Sequence, residues 1–505
     1  MDRDLTALAD QEHDVVVVGG GIHGACIAWD ATLRGLRVAL VERDDFGAAT
    51  SANSLRVVHG GLRYLARGDF RRMRESIRER SAFLRIAPTL VEPLPVLVAT
   101  GGTGRQGRAA MASALALNDL LSLDRNRGLD AEHRLPRGGL LSIGECRLLF
   151  PAFPVAGASG GACWYDARMR HPERLTFAFV QAAVERGAAA ANYCRVERVV
   201  HQGGAVRGVV TTDVLGGGTV EIRGRAVVVA AGPWTPALVD AECSGLPQAF
   251  ALNLEVGRRL ADAAVGVRAR TGPGDDPIIG GRRFIFLVPQ ADSTLLGTWY
   301  APSDGREAGA LLEQGAAALL AEVGAACPAL ELTADDVVRL QWGWLPLKAG
   351  REPGRPNALA DRPRVIDHGA RDGVGGMFSV EGVKYTTARR VAEHVVDRLV
   401  ARLGIAAPRC LTAEVRVDHG TDAAAAALDV RVRRAVRDEM AVRLSDIVLR
   451  RITPGLAPGA TRETVAAVAR IAAAELGWAA TREEAEIVDV MRQLRPFGSN
   501  VEPGA

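Results

Sequence analysis

The stretch that decides the fold is DVVVVGGGIHGACIAWDATLRGLRVALVE, residues 14–42. An apolar run at 14–18 has the composition of a buried strand and leads into a glycine-rich turn. A helical segment at 25–34 and a second apolar run at 37–42 follow. This order predicts a strand-helix-strand unit, the building block of doubly wound parallel sheets.

Three glycines in the turn, Gly19, Gly21 and Gly24, have the GxGxxG spacing. In such a motif, Gly19 permits the tight turn, Gly21 lets a pyrophosphate approach the backbone, and Gly24 lets the helix pack closely on the sheet. Glu42 ends the second strand, where an acid can accept hydrogen bonds from a ribose and disfavours a 2′-phosphate. The unit is therefore predicted to bind FAD or NAD. The alternative is a glycine turn without a ligand.

The segment ATSANSLRVVHGGLRYL, residues 49–65, distinguishes FAD from NAD. Together with the preceding unit it resembles the FAD-dependent glycerol-3-phosphate dehydrogenases, which belong to the glycine and D-amino acid oxidase superfamily. The resemblance continues in WYDARM (164–169), VVVAAGPW (227–234), GVKYTTARRVAEH (382–394) and LSDIVLRR (444–451). It therefore covers nearly the whole chain.

The resemblance and the local patterns together predict an α/β plus α architecture. We expect a discontinuous Rossmann-like FAD-binding domain at residues 10–65, 155–240 and 362–404, a mixed β-sheet substrate domain at 66–154 and 241–361, and a helical C-terminal domain at 409–505. Local patterns also predict a helix at 172–186, paired strands at 283–289 and 294–299, an irregular segment at 101–139, and helix or loop for the alanine run 188–191.

The resemblance also implies the residues that contact FAD. They are Gly19, Gly21, Ile22, His23, Gly24, Glu42, Arg43, Thr50, Ser51, Ser54, Arg56, Gly60, Gly61, Leu62, Val196, Ala231, Gly232, Trp234, Lys384, Tyr385, Thr386 and Thr387. Thr386 and Thr387 open a predicted helix, whose N-terminus would stabilise negative charge on the reduced flavin.

The implied chemistry is the oxidation of a secondary alcohol, in which a base takes the hydroxyl proton and hydride passes to flavin N5. The resemblance implies His59 and Lys384 as catalytic residues, either of which could accept the proton. It also implies that the substrate is bound by Arg63, Tyr64 and Arg362, and Lys348 is a further candidate for substrate binding. The alternatives are a histidine bonded to backbone near the flavin for His59, and a solvated start of the next helix for Arg63.

One segment departs from the family's pattern. The sequence GWLPLK at 343–348 places Leu345 where these enzymes carry an arginine for the substrate phosphate. A guanidinium can bind phosphate through two parallel hydrogen bonds, and leucine can form none. Lys348 or Arg351 could substitute as a differently placed charge. The segment LEVGRRL at 254–260 also differs from the family's lysine-glycine-serine-histidine pattern.

The substrate is therefore expected to be a small hydroxylated molecule, phosphorylated or otherwise anionic. Two alternatives remain open. The first is an oxidase of an amine or a 2-hydroxy acid, in which O₂ reoxidises the flavin. The second is a flavin-binding protein without turnover.

Composition limits the remaining classes. With 48% hydrophobic residues and a net charge of +3 over 505 residues, the chain can form large cores and is not built around a nucleic acid. Its seven cysteines are scattered and form no CxxC pair, so neither a disulfide framework nor a metal site is expected. There is no signal-peptide pattern and no long apolar run. We expect a cytoplasmic protein, in which any membrane contact is peripheral and on the inner face.

An arginine-rich stretch follows the HGGLRYL segment, with eight arginines between residues 63 and 85. One interpretation is a solvated helix face, balanced by Asp69, Glu75 and Glu79. The other is contact with an anionic membrane surface, which would suit electron transfer to a quinone. Quinone as an acceptor is implied by the resemblance, and a homodimer is left open.

Overall fold

A computed structural model describes residues 1–239, 247–269, 283–302, 308–348, 358–418, 426–452 and 460–494. In these ranges the chain forms three β-sheets, which are surrounded by helices. Arg351 lies outside the described residues.

The first sheet has six strands and contains the predicted strand-helix-strand unit. From edge to edge it consists of β17 (Arg364–Asp367), β18 (Met377–Glu381), β11 (Val227–Val229), β1 (Val15–Val18), β2 (Val38–Val41) and β7 (Ala189–Ala191). All neighbours are parallel except β17, which is antiparallel to β18. The central strands are valine-rich because both faces of the sheet are covered.

The two faces of this sheet contact different layers. Helices pack on one face: α2 (Ile22–Leu33), α6 (Pro172–Glu185) and α10 (Ala388–Leu403). A three-stranded antiparallel sheet covers the other: β8 (Cys194–Gln202), β9 (Ala205–Asp213) and β10 (Thr219–Arg223). Because side chains alternate along a strand, Val15 and Val17 face the helices, while Val16 and Val18 face the small sheet.

The third sheet has nine strands of mixed direction. Its path is β16 (Val337–Pro346), β12 (Gln248–Val256), β15 (Thr294–Pro302), β14 (Phe284–Pro289), β13 (Ala264–Arg268), β4 (Val91–Thr100), β6 (Gly160–Met169) and β3 (Val57–Val58), and β5 (Gly139–Leu141) also pairs with β6. Helix α8 (Ala308–Ala326) packs on this sheet. The predicted strand pair is present as β14 and β15, with Phe286 opposite Gly297.

The C-terminal part is helical and has its own core. It contains α11 (Leu428–Asp438), α12 (Leu444–Asp446), a π-helical turn at Ile447–Arg451, α13 (Arg462–Leu476) and α14 (Ala480–Gln493). The remaining helices are α1 (Leu5–Asp10), α3 (Phe70–Ile86), α4 (Arg108–Leu121), α5 (Ile143–Leu149), α7 (Thr235–Leu238) and α9 (His368–Arg371). Short 3₁₀ turns lie at Leu62–Arg67, Ala131–His133, Gly232–Trp234, Pro328–Leu330, Ala334–Asp336 and Tyr385–Thr387.

The predicted fold class is confirmed: α/β plus α, with a discontinuous Rossmann-like domain, a mixed-sheet domain and a helical C-terminal domain. Two local predictions are wrong. Residues 101–139 are not irregular throughout, because Arg108–Leu121 forms α4, which buries Leu115. The alanine run is neither helix nor loop at 189–191, because Ala189–Ala191 pairs with β2 as a strand. Among the described residues, no helix is long and apolar enough to cross a membrane.

Candidate active site

A cavity of about 540 Å³ lies between the six-stranded and nine-stranded sheets. The six-stranded sheet contributes the glycine turn after β1 and the ends of β2, β11 and β18, while β12, β15 and β16 contribute the opposite wall. The loop 47–55 lies between the two walls. Ligands of open α/β sheets bind at the carboxyl ends of parallel strands, which is where this cavity lies.

The glycine turn forms one wall of the cavity through its backbone. Gly19 has φ +105°, and a Cβ atom there would lie 2.7 Å from the carbonyl oxygen of Ala230. A Cβ on Gly24 would lie 1.8 Å from the Gly19 oxygen, so both positions require glycine. Helix α2 begins after Gly21, which has no side chain to cap it, and its first amide, that of Ile22, donates to Oγ of Ser51 at 3.0 Å. The other first-turn amides and the helix dipole suit a pyrophosphate.

Flat side chains and a carboxylate form one end of the cavity. Glu42 accepts hydrogen bonds from the amides of Gly20 and Asp44, at 2.6 and 2.9 Å. Burial raises the pKa of Glu42 above its ordinary value, although these backbone donors oppose the rise. The Arg43 guanidinium carbon lies 3.6 Å from the centre of the Trp234 ring. A ribose could bond to Glu42, and a planar base could stack beside the flat groups of Arg43 and Trp234.

At the other end, the segment after β18 closes over the start of α2. A Cβ on Gly382 would lie 2.1 Å from Cε1 of His23, so the backbone rests directly on the imidazole. Burial lowers the pKa of His23 to about 4, which keeps this ring neutral. Across the cavity, a Cβ on Gly343 would lie 2.8 Å from Oγ1 of Thr50. These close approaches leave a slot whose walls are mostly backbone.

Lys384, Tyr64 and His59 meet next to this slot. The Lys384 ammonium donates a hydrogen bond to the Tyr64 hydroxyl. The rings of His59 and Tyr64 have centroids 6.1 Å apart. Among the described residues, His59 Nδ1 is buried without a hydrogen-bond partner, and the His59 amide donates to Oγ1 of Thr386 at 3.4 Å. A base, a phenol and an imidazole thus lie within reach of one another.

All three groups have shifted pKa values. Burial lowers the pKa of Lys384, and the charges of Arg63 and Arg72 lower it further, against the opposing effect of Tyr64. Burial raises the pKa of Tyr64, but Arg63 and Lys384 outweigh this and bring it below its ordinary value. Burial, followed by the charges of Arg63, Lys384 and Arg80, holds the pKa of His59 well below its ordinary value.

A cationic rim surrounds this group and consists of Arg63, Arg72, Lys348 and Arg362. The guanidinium carbons of Arg63 and Arg72 each lie 5.3 Å from the centre of the Tyr64 ring. Asp361 forms ion pairs with Arg72 at 3.2 Å and with Lys348 at 3.4 Å. Arg362 lies 4.0 Å from Asp69, which also pairs with Arg72. Four cations of the rim therefore face two carboxylates, Asp361 and Asp69, which leaves a net positive charge.

A buried ion pair holds the loop that carries His59. Asp166 accepts hydrogen bonds from the Gly60 amide at 2.5 Å and from the Arg80 guanidinium at 3.1 Å. Trp164 Nε1 donates to the second carboxylate oxygen at 3.2 Å. The interpretation of the arginine-rich stretch as a solvated helix face is wrong for Arg80, because only 2% of the surface of Arg80 is exposed.

The sequence reasoning did not single out Asp166 or Arg80 as site residues. The WYDARM segment contains Asp166 and is the sequence feature that could have pointed to this residue. It identified a family likeness and not a role.

The structure brings most of the predicted contacts to the cavity. The lining includes Gly19, Gly21, Ile22, His23, Glu42, Arg43, Thr50, Ser51, Ser54, Val196, Ala231, Gly232, Trp234, Lys384 and Tyr385, together with Leu345. Predicted residues outside the lining are Gly24, Arg56, His59, Gly60, Gly61, Leu62, Arg63, Tyr64, Lys348, Arg362, Thr386 and Thr387. The side chain of Arg56 is directed away, since it donates to Gln290 at 3.1 Å.

The fold and the cavity define an FAD-dependent oxidoreductase. The family model described as FAD dependent oxidoreductase matches residues 14–398, and the one described as the C-terminal domain of alpha-glycerophosphate oxidase matches residues 368–483. The chain is 31% identical over 426 residues to a glycerol-3-phosphate dehydrogenase of Synechocystis sp., covering 81% of this chain and 74% of that protein. The chain therefore belongs to the family of FAD-dependent glycerol-3-phosphate dehydrogenases.

Two further comparisons agree with this family. A probable mitochondrial glycerol-3-phosphate dehydrogenase of Caenorhabditis elegans is 29% identical over 78% of this chain, and the match spans 54% of that protein. The crystal structure of the Bacillus halodurans glycerol-3-phosphate dehydrogenase complexed with FAD superimposes with a TM-score of 0.73 at 22% identity, covering 99% of this chain and 98% of that one. At this identity, the superposition shows that the fold is shared.

FAD is the cofactor of this family, and the cavity fits it. The start of α2 suits the pyrophosphate, Glu42 the ribose, and the slot between Gly382 and Gly343 a flat ring system. When bound, FAD supplies the oxidising power for removal of a hydride.

Proposed function

We propose that this protein is a dehydrogenase that oxidises the secondary alcohol of glycerol 3-phosphate or a closely similar anionic polyol, by hydride transfer to flavin N5. The observation that carries the proposal is the contact between Lys384 and Tyr64, beside the cofactor slot and inside a cationic rim. A proton acceptor and an anion-binding surface are what this reaction requires of the protein.

Lys384 is the proposed proton acceptor. A general base works best when its pKa lies near the working pH. Burial and neighbouring cations move the pKa of Lys384 down from its high ordinary value, in that direction. The pKa of His59 is also lowered, but this takes it further below neutral pH, so its imidazole is uncharged and only weakly basic. We assign His59 to substrate positioning, with its free Nδ1 available to the substrate hydroxyl.

The cationic rim is the proposed binding surface for the substrate phosphate. Leu345 lines the cavity at the position where the family carries arginine, so this wall offers no charge. Lys348 could substitute, and its ammonium shares Asp361 with Arg72, so pairing alone does not separate the two. Arg63 and Arg72 stand closer to Lys384 and Tyr64, and the pKa values of both groups respond to Arg63. We therefore assign the phosphate to Arg63 and Arg72, with Lys348 and Arg362 at the outer edge.

We extend the proposal to the electron acceptor and the location. The family relationship favours a quinone as acceptor, with a cytoplasmic protein that contacts the inner face of the membrane. Exposed arginines of the basic stretch, Arg67, Arg71 and Arg78, would face the anionic surface. A homodimer is compatible with this arrangement.

The test is anaerobic mixing of the FAD-loaded protein with glycerol 3-phosphate, followed at the flavin absorbance near about 450 nm. Glycerol, which lacks the phosphate, is the matched control. We expect bleaching by glycerol 3-phosphate at far lower concentrations than by glycerol. Bleaching by amines or 2-hydroxy acids instead, with peroxide formed in air, would establish an oxidase. No bleaching with any alcohol or hydroxy acid would contradict the proposed enzyme and favour a flavin-binding protein without turnover.

A further inference from the structure

Asp45 is a fully buried carboxylate three residues beyond Glu42. Its side chain is 0% exposed, and it follows the strand end that forms the ribose side of the cavity. A charge at this depth is costly unless it is paired. All the arginines that pair with it come from the C-terminal helical domain, more than 400 residues away.

The pairing is close and redundant. Arg451 donates to both carboxylate oxygens of Asp45, at 2.9 and 2.8 Å, in a bidentate arrangement. Arg450 donates to Oδ2 of Asp45 at 2.6 Å and to Asp446 at 2.6 Å. Although burial alone would raise the pKa of Asp45, Arg451 and Arg450 lower it to about 2. The carboxylate is therefore charged at any working pH.

A second connection runs from the same domain to the neighbouring wall of the cavity. The Tyr193 hydroxyl donates to Asp446 at 2.6 Å, and the Asn192 amide donates to Asp45 at 3.1 Å. The next residues, Cys194 to Glu197, line the cavity. The Cys194 amide donates to the carbonyl of Glu42 at 2.7 Å, which joins the two walls.

Asp45 is also coupled to the glycine turn. The Gly47 amide donates to the carbonyl of Gly20 at 3.0 Å, and the Gly20 amide donates to Glu42 at 2.6 Å. Phe46 packs so closely that a Cβ on Gly20 would lie 2.6 Å from its ring. A shift of Asp45 would therefore displace the ribose-binding acid and the pyrophosphate-binding turn together.

We propose that Arg450 and Arg451 are positioning residues for FAD, and that the C-terminal helical domain holds the adenosine half of the cofactor in place through Asp45. Among its described residues, the domain contributes none to the cavity lining. It acts by fixing the two cavity walls, 42–47 and 192–197, in the geometry that FAD requires.

The test is cofactor affinity in the full-length protein. FAD is removed, and FAD and FMN are titrated separately into wild type, Arg451→Lys, Arg451→Met and Asp45→Asn, followed by flavin fluorescence. FMN lacks the adenosine half, so it does not use the walls near Glu42. We expect the dissociation constant for FAD to rise at least tenfold in Arg451→Met and Asp45→Asn and less in Arg451→Lys, while that for FMN changes less than threefold.

The control variant is Arg437→Met. Arg437 belongs to the same domain but pairs with Glu475 at the surface, with its side chain 62% exposed. It should bind both flavins as the wild type does. An equal loss of FAD and FMN affinity, or unchanged FAD affinity in a folded Arg451→Lys and Asp45→Asn, would overturn the proposal. If Arg451→Met fails to fold, the FAD-to-FMN affinity ratio of Arg451→Lys decides the question.

Discussion

Lys384 donates a hydrogen bond to the Tyr64 hydroxyl, although 320 residues separate them in the chain. Tyr64 lies in the 3₁₀ turn that follows the HGG segment, and Lys384 lies just after the last parallel strand. The contact therefore joins two sides of the active site, and the expected behaviour of several variants follows from it.

Replacement of Lys384 by methionine should abolish proton acceptance. General base catalysis contributes on the order of 10²–10⁴ in rate, so flavin reduction by glycerol 3-phosphate should slow by that factor. In the wild type, the reduction rate should rise with pH through the lowered pKa of Lys384, because the deprotonated amine is the active form. Stopped-flow measurements across pH check both points. A Lys384→Met variant that keeps the rising limb would exclude Lys384 as the base.

Replacement of Tyr64 by phenylalanine should shift the rise of the flavin reduction rate with pH to lower pH. Tyr64 raises the pKa of Lys384 through its charge and hydrogen bond, so its loss lets burial and the nearby arginines lower that pKa further. The rate at low pH should then exceed the rate expected from the wild-type profile. Tyr165→Phe is the control and should leave the profile unchanged, because Tyr165 is not among the groups that shift the pKa of Lys384.

Replacement of Leu345 by arginine should restore a phosphate contact on β16. A hydrogen bond to a charged group is worth about 1.5–3 kcal/mol. Because about 1.4 kcal/mol is tenfold, the KM for glycerol 3-phosphate should fall by about tenfold or more. The KM for glycerol should not fall, and Leu345→Met should match the wild type. Equal KM values in Leu345→Arg and Leu345→Met would show that the substrate does not reach this wall.

Replacement of Asp166 by asparagine should destabilise the protein strongly. Arg80 would then be a buried guanidinium without its counter-charge, and breaking a buried pair in this way costs about 3–5 kcal/mol. Urea unfolding at neutral pH measures the loss. Asp335→Asn, at an exposed aspartate, should change the free energy of unfolding by less than about 0.5 kcal/mol.

The sequence was sufficient where the physical cause is local. The requirement for glycine at positions 19 and 24 arises within one strand-helix-strand unit, so spacing and context predict it. Lys384 and Tyr64 were each predicted through resemblance, but their contact was not, because no local pattern relates residues so distant in sequence. The burial of Arg80 could not be predicted from the sequence, because nothing in the arginine-rich stretch distinguishes Arg80 from the exposed Arg78.

The two wrong local predictions have the same origin. Alanine favours helices and is depleted in strands, so the composition of the run at 189–191 does not predict a strand; its conformation comes from pairing with the adjacent strand β2. In α4, an apolar helix borders glycine- and arginine-rich loops that obscure its period. Tertiary partners decide such segments.

Strands that are neighbours in the six-stranded sheet are far apart in the chain, so they leave the ribosome at different times. Strand β1 lies between β2 and β11, and β11 is followed by β18, so the chain returns to the same sheet at residues 227–229 and again at 377–381. A nascent chain of 200 residues would contain the complete glycine turn next to an open sheet edge. Until residues 227–229 and 377–381 have been synthesised and have paired, this sheet lacks β11 and β18, so β1 has an unpaired edge.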